Sequence, residues 1–307
     1  MSKVSIIVYH YVRDLEGSRY PGIKGRRLTE FKRQLDFIGR EMNVVTAQQV
    51  IAASNGGPPL PENAAWLTFD DGYVDHFENV FPLLLERGWQ GSFFPPAATT
   101  LDREMLDVNK IHFILASAEP SALVEKLRGF LGEQPGLEPF EYYWRLLASE
   151  PDQFDVPHVV FIKRLLQREL PEHMRAEFTD RLFSEHVGES PSDFADQLYM
   201  SPAQLRTLID AGMHVGSHGA RHYWMNRLSA AEQAREVDAS LAFLRHIGAP
   251  TDNWVMCYPY GANNASLHTV LSNRGCSIAL TTVPGVADLA SDSAMMLPRV
   301  DTNRIPF

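Results

Sequence analysis

Two adjacent carboxylates stand where an apolar run meets a glycine, in Thr68-Phe69-Asp70-Asp71-Gly72-Tyr73. A charged pair at the end of a buried strand is costly unless a metal ion or cation compensates it, although Asp-Asp-Gly is equally good turn chemistry. Two histidines four apart follow another apolar run, in Gly216-Ser217-His218-Gly219-Ala220-Arg221-His222. Four residues is one helical turn, so both imidazoles can converge on one ion; alone, such a pair is more often ordinary surface or core histidine. Together, one carboxylate and two imidazoles make a three-ligand set with coordination positions left for water and substrate, and the spare carboxylate is placed to act as a base. A third segment, Trp254-Val255-Met256-Cys257-Tyr258-Pro259-Tyr260-Gly261, ends in a tight turn that either aims a backbone N–H into a cleft or is simply a turn. Asp70, Asp71, His218 and Tyr260 all follow apolar runs, as His10 follows Val4–Tyr9, and in parallel barrels the carboxyl ends of strands are where active sites are built.

The elements that must position these groups alternate. Val4–Tyr9, Ala64–Phe69, Gly91–Phe94, Met213–Ser217, Trp254–Tyr258 and Ser277–Leu280 read as strands, and amphipathic helical patterns lie between them. Pro82 inside the pattern Phe77, Val80, Phe81, Leu84, Leu85 predicts a kink or a late helix start. Ser201-Pro202-Ala203-Gln204 and Ser229-Ala230-Ala231-Glu232 are capping boxes, and Gly212 and Gly248 stop the helices they open. Residues 105–200 show helical patterns without convincing strands, so a single domain over 1–307 is expected to carry a mainly helical insertion there. That insertion would serve as a cap over a site or as a contact in a homo-oligomer.

The 307 residues are 45% hydrophobic and 21% charged, the balance of an ordinary soluble globular protein. A net charge of −10 without clustered Lys and Arg argues against nucleic acid or anionic membrane as partner. No apolar run is long enough to span a bilayer or serve as a signal peptide, and two cysteines are too few for a disulfide framework. A cytoplasmic location is therefore expected.

With these residues in place, the chain resembles the polysaccharide deacetylases, carbohydrate esterase family 4 with the NodB homology domain. Thr68–Tyr73 matches the family's first motif, His218–His222 its second and Tyr258–Gly261 its third, in the family order, over roughly residues 1–104 and 200–307. The resemblance implies an α/β fold, a distorted barrel of about seven strands. It also implies a divalent metal held by Asp71, His218 and His222, with Asp70 as catalytic base. The implied activity is a metal-dependent hydrolase removing an N-acetyl group from an amino sugar, with the Tyr260 N–H on the oxyanion. Zinc suits such a ligand set best, while cobalt, nickel or iron would fit it too.

The chain departs from the family pattern in several places. Gly219 replaces the usual Ser or Thr after the first histidine, and Cys257 and Tyr258 stand near where an arginine usually holds the catalytic aspartate. Arg299 is the candidate for that missing cation, against the reading of an ordinary surface arginine. No histidine follows His268 to supply the family's usual general acid. The form Tyr-Pro-Tyr-Gly is similar to the branch acting on poly-N-acetylglucosamine, whose members carry a Tyr-His near the amino terminus, as Tyr9-His10 does here. His10 is thus the candidate proton donor, the alternative being a histidine satisfied by backbone partners. The expected cytoplasmic location points to a nucleotide- or lipid-linked sugar precursor as substrate. Other readings are a hydrolase of non-carbohydrate amides on the same fold, a non-haem iron oxygenase, and a catalytically degenerate glycan-binding protein. The oxygenase needs no second aspartate and fits the βα alternation badly.

Overall fold

The structure is a computed structural model that describes residues 2–149 and 155–307. Among the described residues, one curled sheet of nine strands has two short side strands, Asn43–Val44 and Ala287–Asp288, and a main path of seven: β1 (Lys3–Tyr9), β2 (Ala64–Asp70), β3 (Gly91–Phe94), β4 (His214–Val215), β5 (Trp254–Cys257), β6 (Cys276–Pro284) and β7 (Leu297–Asp301). Their order is β4-β3-β2-β1-β7-β6-β5, with every neighbouring pair parallel. The two edges of the curl meet at one parallel bridge, Ser217 to Met256. There the Ser217 N–H donates to Val255 at 2.9 Å and the Cys257 N–H to Ser217 at 2.8 Å. The result is a mixed α/β fold whose barrel has seven strands.

Strand alternation sorts the apolar residues into two cores. Val4, Ile6, Trp66, Phe94, Val255, Cys257, Ile278, Leu280 and Leu297 pack together on one face of the sheet. Ile7, Tyr9, Leu67, Phe69 and Phe93 face the other way, onto Phe31 and Leu35 of helix Leu28–Glu41 and Val237, Leu241 and Leu244 of helix Ala230–Ile247. Both faces are covered, which is why β2 is buried along its whole length and reads as an uninterrupted apolar run.

Both capping boxes form, at Ser201 with Gln204 and at Ser229 with Glu232, and Gly248 closes the second helix at φ +83°. Pro82 marks a late start: a π-helical turn, His76–Val80, precedes the α-helix Phe81–Glu86. The sequence pattern did not reveal β7. Pro298 and Arg299 interrupt its apolar run, and the ladder to β6 absorbs them with a register shift between Leu297 and Arg299.

The chain divides into two compact units. One comprises Met1–Asp14, Gly25–Glu104 and Ala195–Phe307 and contains the sheet; the other comprises Leu15–Lys24 and Met105–Phe194. The second unit includes helices Asp107–Ser117, Pro120–Glu133, Phe140–Leu147, Pro157–Arg164 and Glu172–Val187. Phe130 stacks on Phe178 at 4.0 Å and Phe113 meets Phe194 at 4.6 Å. Tyr20 packs against Phe113 and Phe194, which ties Leu15–Lys24 to that unit even though the segment has no helical periodicity of its own. No helix among the described residues is long and apolar enough to cross a membrane.

His214 is buried in β4, edge-on to Phe94, and burial pushes its pKa down to about 4. An unfolded histidine titrates near about 6.5, so the folded state binds fewer protons between these values. Stability from this site is complete above about pH 6.5 and declines as the pH falls toward about 4. Urea midpoints measured across that window should fall for the parent and fall less steeply for His214→Leu. An identical slope in the variant would assign the loss to other groups.

Candidate active site

Asp70 ends β2 on the same face as Trp66 and Thr68, so the inner core is topped by a carboxylate that is only 1% exposed. Arg299, two residues beyond Leu297 in β7, reaches it with both terminal nitrogens, Nη2 to Oδ2 at 2.8 Å and Nη1 to Oδ1 at 3.0 Å. The guanidinium is itself aimed by Nε, which donates to the Thr281 carbonyl at 2.8 Å. The Cys257 thiol, two residues on from Val255, donates to Asp70 Oδ2 at 3.3 Å. Burial alone would push the Asp70 carboxyl up; Arg299, then His218 and His10, outweigh it and hold the pKa down to about 2. His10 follows β1 with its ring 53% exposed and Nε2 3.9 Å from Asp70 Oδ2.

Asp71 and Gly72 both take φ +71°, so the chain turns sharply and sends the second carboxylate elsewhere. A Cβ on Gly72 would come within 2.6 Å of Pro95, which leaves glycine as the residue that fits. Asp71 Oδ1 lies 3.4 Å from His218 Nε2 and 3.5 Å from His222 Nε2, while Oδ2 accepts from the Tyr73 hydroxyl at 2.6 Å. Burial would raise the Asp71 carboxyl, but the two imidazoles hold it well below the usual carboxylate range. Burial, reinforced by the neighbouring His218, pushes His222 down to about 3, so this ring is neutral.

The two histidines converge without a helix. His218–His222 is a loop, turned by Gly219 at φ +75° and by His222 itself at φ +58°. Their rings sit 4.7 Å apart. Gly219 has no hydroxyl to brace the loop, and the brace comes from Glu236, whose Oε2 accepts from the Ala220 and Arg221 N–H groups at 3.1 and 3.0 Å. His218 Nδ1 donates to the Cys257 carbonyl at 2.7 Å, which turns Nε2 toward Asp71, and against burial its neighbours Cys257 and Asp71 push the His218 pKa well above the usual imidazole value.

These residues fit a divalent ion. The ligand atoms of Asp71, His218 and His222 all lie within 4.8 Å of one another, and Asp71 Oδ1 is buried without a hydrogen-bond partner. A buried carboxylate oxygen facing two imidazole nitrogens is what a cation would satisfy. His218→Ala should therefore lose most of its bound metal on dialysis, measured as metal per chain. Parental metal content in that variant would remove His218 from the ligand set.

Tyr260 occupies a left-handed turn, φ +57°. Its ring stacks on Trp224 at 4.4 Å and 5°, and its edge meets His222 at 4.6 Å. All seven residues singled out by sequence thus gather in the unit that holds the sheet. His214, read as core, is core; among the insertion histidines His173 is exposed and His112, His158 and His186 are half-buried. Sequence reasoning missed Tyr73, Trp224, Glu236 and the Cys257 thiol. Tyr73 lies inside the first motif and Trp224 two residues past the second, which was the available signal; Glu236 carried none.

The parallel barrel thus presents a carboxylate and two imidazoles at its strand ends, with a second carboxylate beside them. The profile of the polysaccharide deacetylase family matches residues 172–279, a stretch that takes in both histidines and Tyr260. The chain is 45% identical over 51 residues to the poly-beta-1,6-N-acetyl-D-glucosamine N-deacetylase of Escherichia coli strain K12, a match spanning 17% of this chain and only 8% of that protein. Among solved structures, the fold is similar to Streptococcus pyogenes deacetylase PplD in complex with acetate, with TM-score 0.59 and 14% identity over 98% of this chain and 92% of that one. It is also similar to the BpsB deacetylase domain from Bordetella bronchiseptica, with TM-score 0.56 and 17% identity over 97% and 95%. IcaB from Ammonifex degensii gives TM-score 0.55 and 18% identity over 98% and 92%.

Proposed function

We propose that this chain is a divalent-metal-dependent deacetylase that removes the acetyl group from the nitrogen of an amino sugar. The observation that carries the reading is the division of labour between adjacent aspartates: Asp71 faces His218 and His222, while Asp70 is held apart by Arg299. A divalent ion held by Asp71, His218 and His222, zinc by preference, would supply Lewis acidity toward water and the acyl oxygen. Asp70, ionised at neutral pH, accepts the proton of the attacking water as the new C–O bond forms. The Tyr260 N–H donates to the oxyanion of the tetrahedral intermediate. His10, at the open side of Asp70, delivers a proton to the departing nitrogen, because an amine leaves far more readily than its anion.

The similarity to the poly-N-acetylglucosamine deacetylase supports an N-acetylglucosamine unit as substrate. The two cysteines are free and buried, which supports a reducing compartment. There an N-acetylated nucleotide- or lipid-linked sugar is the form such an enzyme would meet. Purified protein loaded with zinc should release acetate from N-acetylated oligosaccharides or nucleotide sugars and stop doing so after chelation. Release of ammonia or a ring-opened product without acetate would assign the site to another amide; binding of the sugars without turnover would make it a lectin-like relic.

A further inference from the structure

Four consecutive residues after β1 are each fixed by the segment that follows the aspartate pair. The His10 carbonyl accepts from His76 Nε2–H at 2.8 Å, and the Tyr11 ring stacks on Tyr73 at 4.0 Å. The Val12 carbonyl accepts from Asn79 Nδ2 at 2.8 Å, and Arg13 grips Asp75 with two bonds of 2.7 and 2.9 Å. Tyr73 in turn donates to Asp71. The strand-end loop that carries His10 is thereby tied to the loop that carries both aspartates.

His76 is the unusual member of this latch. It begins the π-helical turn His76–Val80, a rare geometry that recurs at functional sites. Its ring is fully buried against Phe69, Tyr73 and Phe93, and burial pushes its pKa down to about 4, so it is a neutral imidazole with one N–H to give. Among the described residues, that N–H goes to His10, while Nδ1 is buried with no partner. A buried unsatisfied nitrogen is unfavourable, and a phenylalanine would fill this aromatic pocket without that penalty. What the histidine adds is its bond to the backbone of His10. The His10 side chain is half-exposed, so its backbone anchor is what fixes its distance to Asp70.

We propose that His76 is a positioning residue for His10, holding the strand-end peptide so that the His10 ring stands over Asp70 and the departing nitrogen. The inference rests on the reading of His10 as proton donor. It is tested on the zinc-loaded protein with an acetamide substrate and an activated acetate ester, in a cycle of parent, His76→Phe, His10→Ala and the double variant. His76→Phe should lower kcat on the amide by about 10- to 100-fold, the scale on which small misplacements act, with KM and bound zinc unchanged and the ester barely affected. In the His10→Ala background the same substitution should cost nothing further, since residues acting through one another are not additive. His76→Gln, which keeps an N–H donor, should recover part of the loss.

Equal losses from His76→Phe in both backgrounds, or no loss in either, would overturn the inference while leaving His10 its role. A His10→Ala variant as active as the parent would remove the proton donor itself, and this inference with it. Should His76→Phe not fold, Asn79→Leu frees the Val12 carbonyl from the same turn and passes through the same cycle with the same outcomes.

Discussion

Asp70→Asn lowers the turnover of acetate release by about 10²- to 10⁴-fold, the range for loss of a positioned proton acceptor, while the protein keeps its bound metal. An amide in place of the carboxylate preserves shape but has no basic oxygen to receive the proton from water. The proposed ligands Asp71, His218 and His222 are untouched. The measurement pairs acetate release with metal per chain, because Asp70 Oδ also lies within 4.8 Å of ligand atoms of His218 and Cys257. Turnover at the parental rate would dismiss Asp70 as the base. Loss of metal together with activity would instead place Asp70 in the ligand set.

Arg299→Leu destabilises the fold by about 3–5 kcal/mol, the usual consequence of removing one partner from a buried ion pair. Both groups are almost fully buried, the guanidinium is bidentate on Asp70, and its remaining Nε is engaged by Thr281, so water cannot replace it. Asp70→Asn with Arg299→Leu removes both charges and should cost less than the sum of the single changes, which a double-mutant cycle on urea unfolding reads directly. A loss of under about 1 kcal/mol for Arg299→Leu would describe a solvated surface pair and contradict the buried geometry.

What the sequence disclosed was mostly local. The three motif segments declare themselves because each joins an apolar run to a glycine-containing turn, and six of the seven barrel strands are visible as apolar runs bounded by turn residues. β7 is hidden by Pro298 and Arg299, yet that arginine is the group that holds Asp70. The four-residue spacing of His218 and His222 correctly suggests convergence but for the wrong geometric reason: a left-handed loop braced by Glu236 brings them together. Glu236 sits on helix Ala230–Ile247 and Cys257 on β5, and their contributions arise from contacts across the fold. No periodicity or spacing encodes such contacts. Departures such as Gly219 become intelligible only when the bracing carboxylate is seen.

The fastening of the barrel at Ser217 and Met256 has a consequence for how the molecule fails. Beside the six-residue ladder of β1 with β2, this junction is a single stitch, and its two sides carry His218 and Cys257. Segments held by few backbone bonds open at lower free energy than the rest of a fold. On warming, the cylinder should therefore unzip here first, so that the catalytic apparatus is dismantled while most of the helices still stand, and inactivation precedes melting.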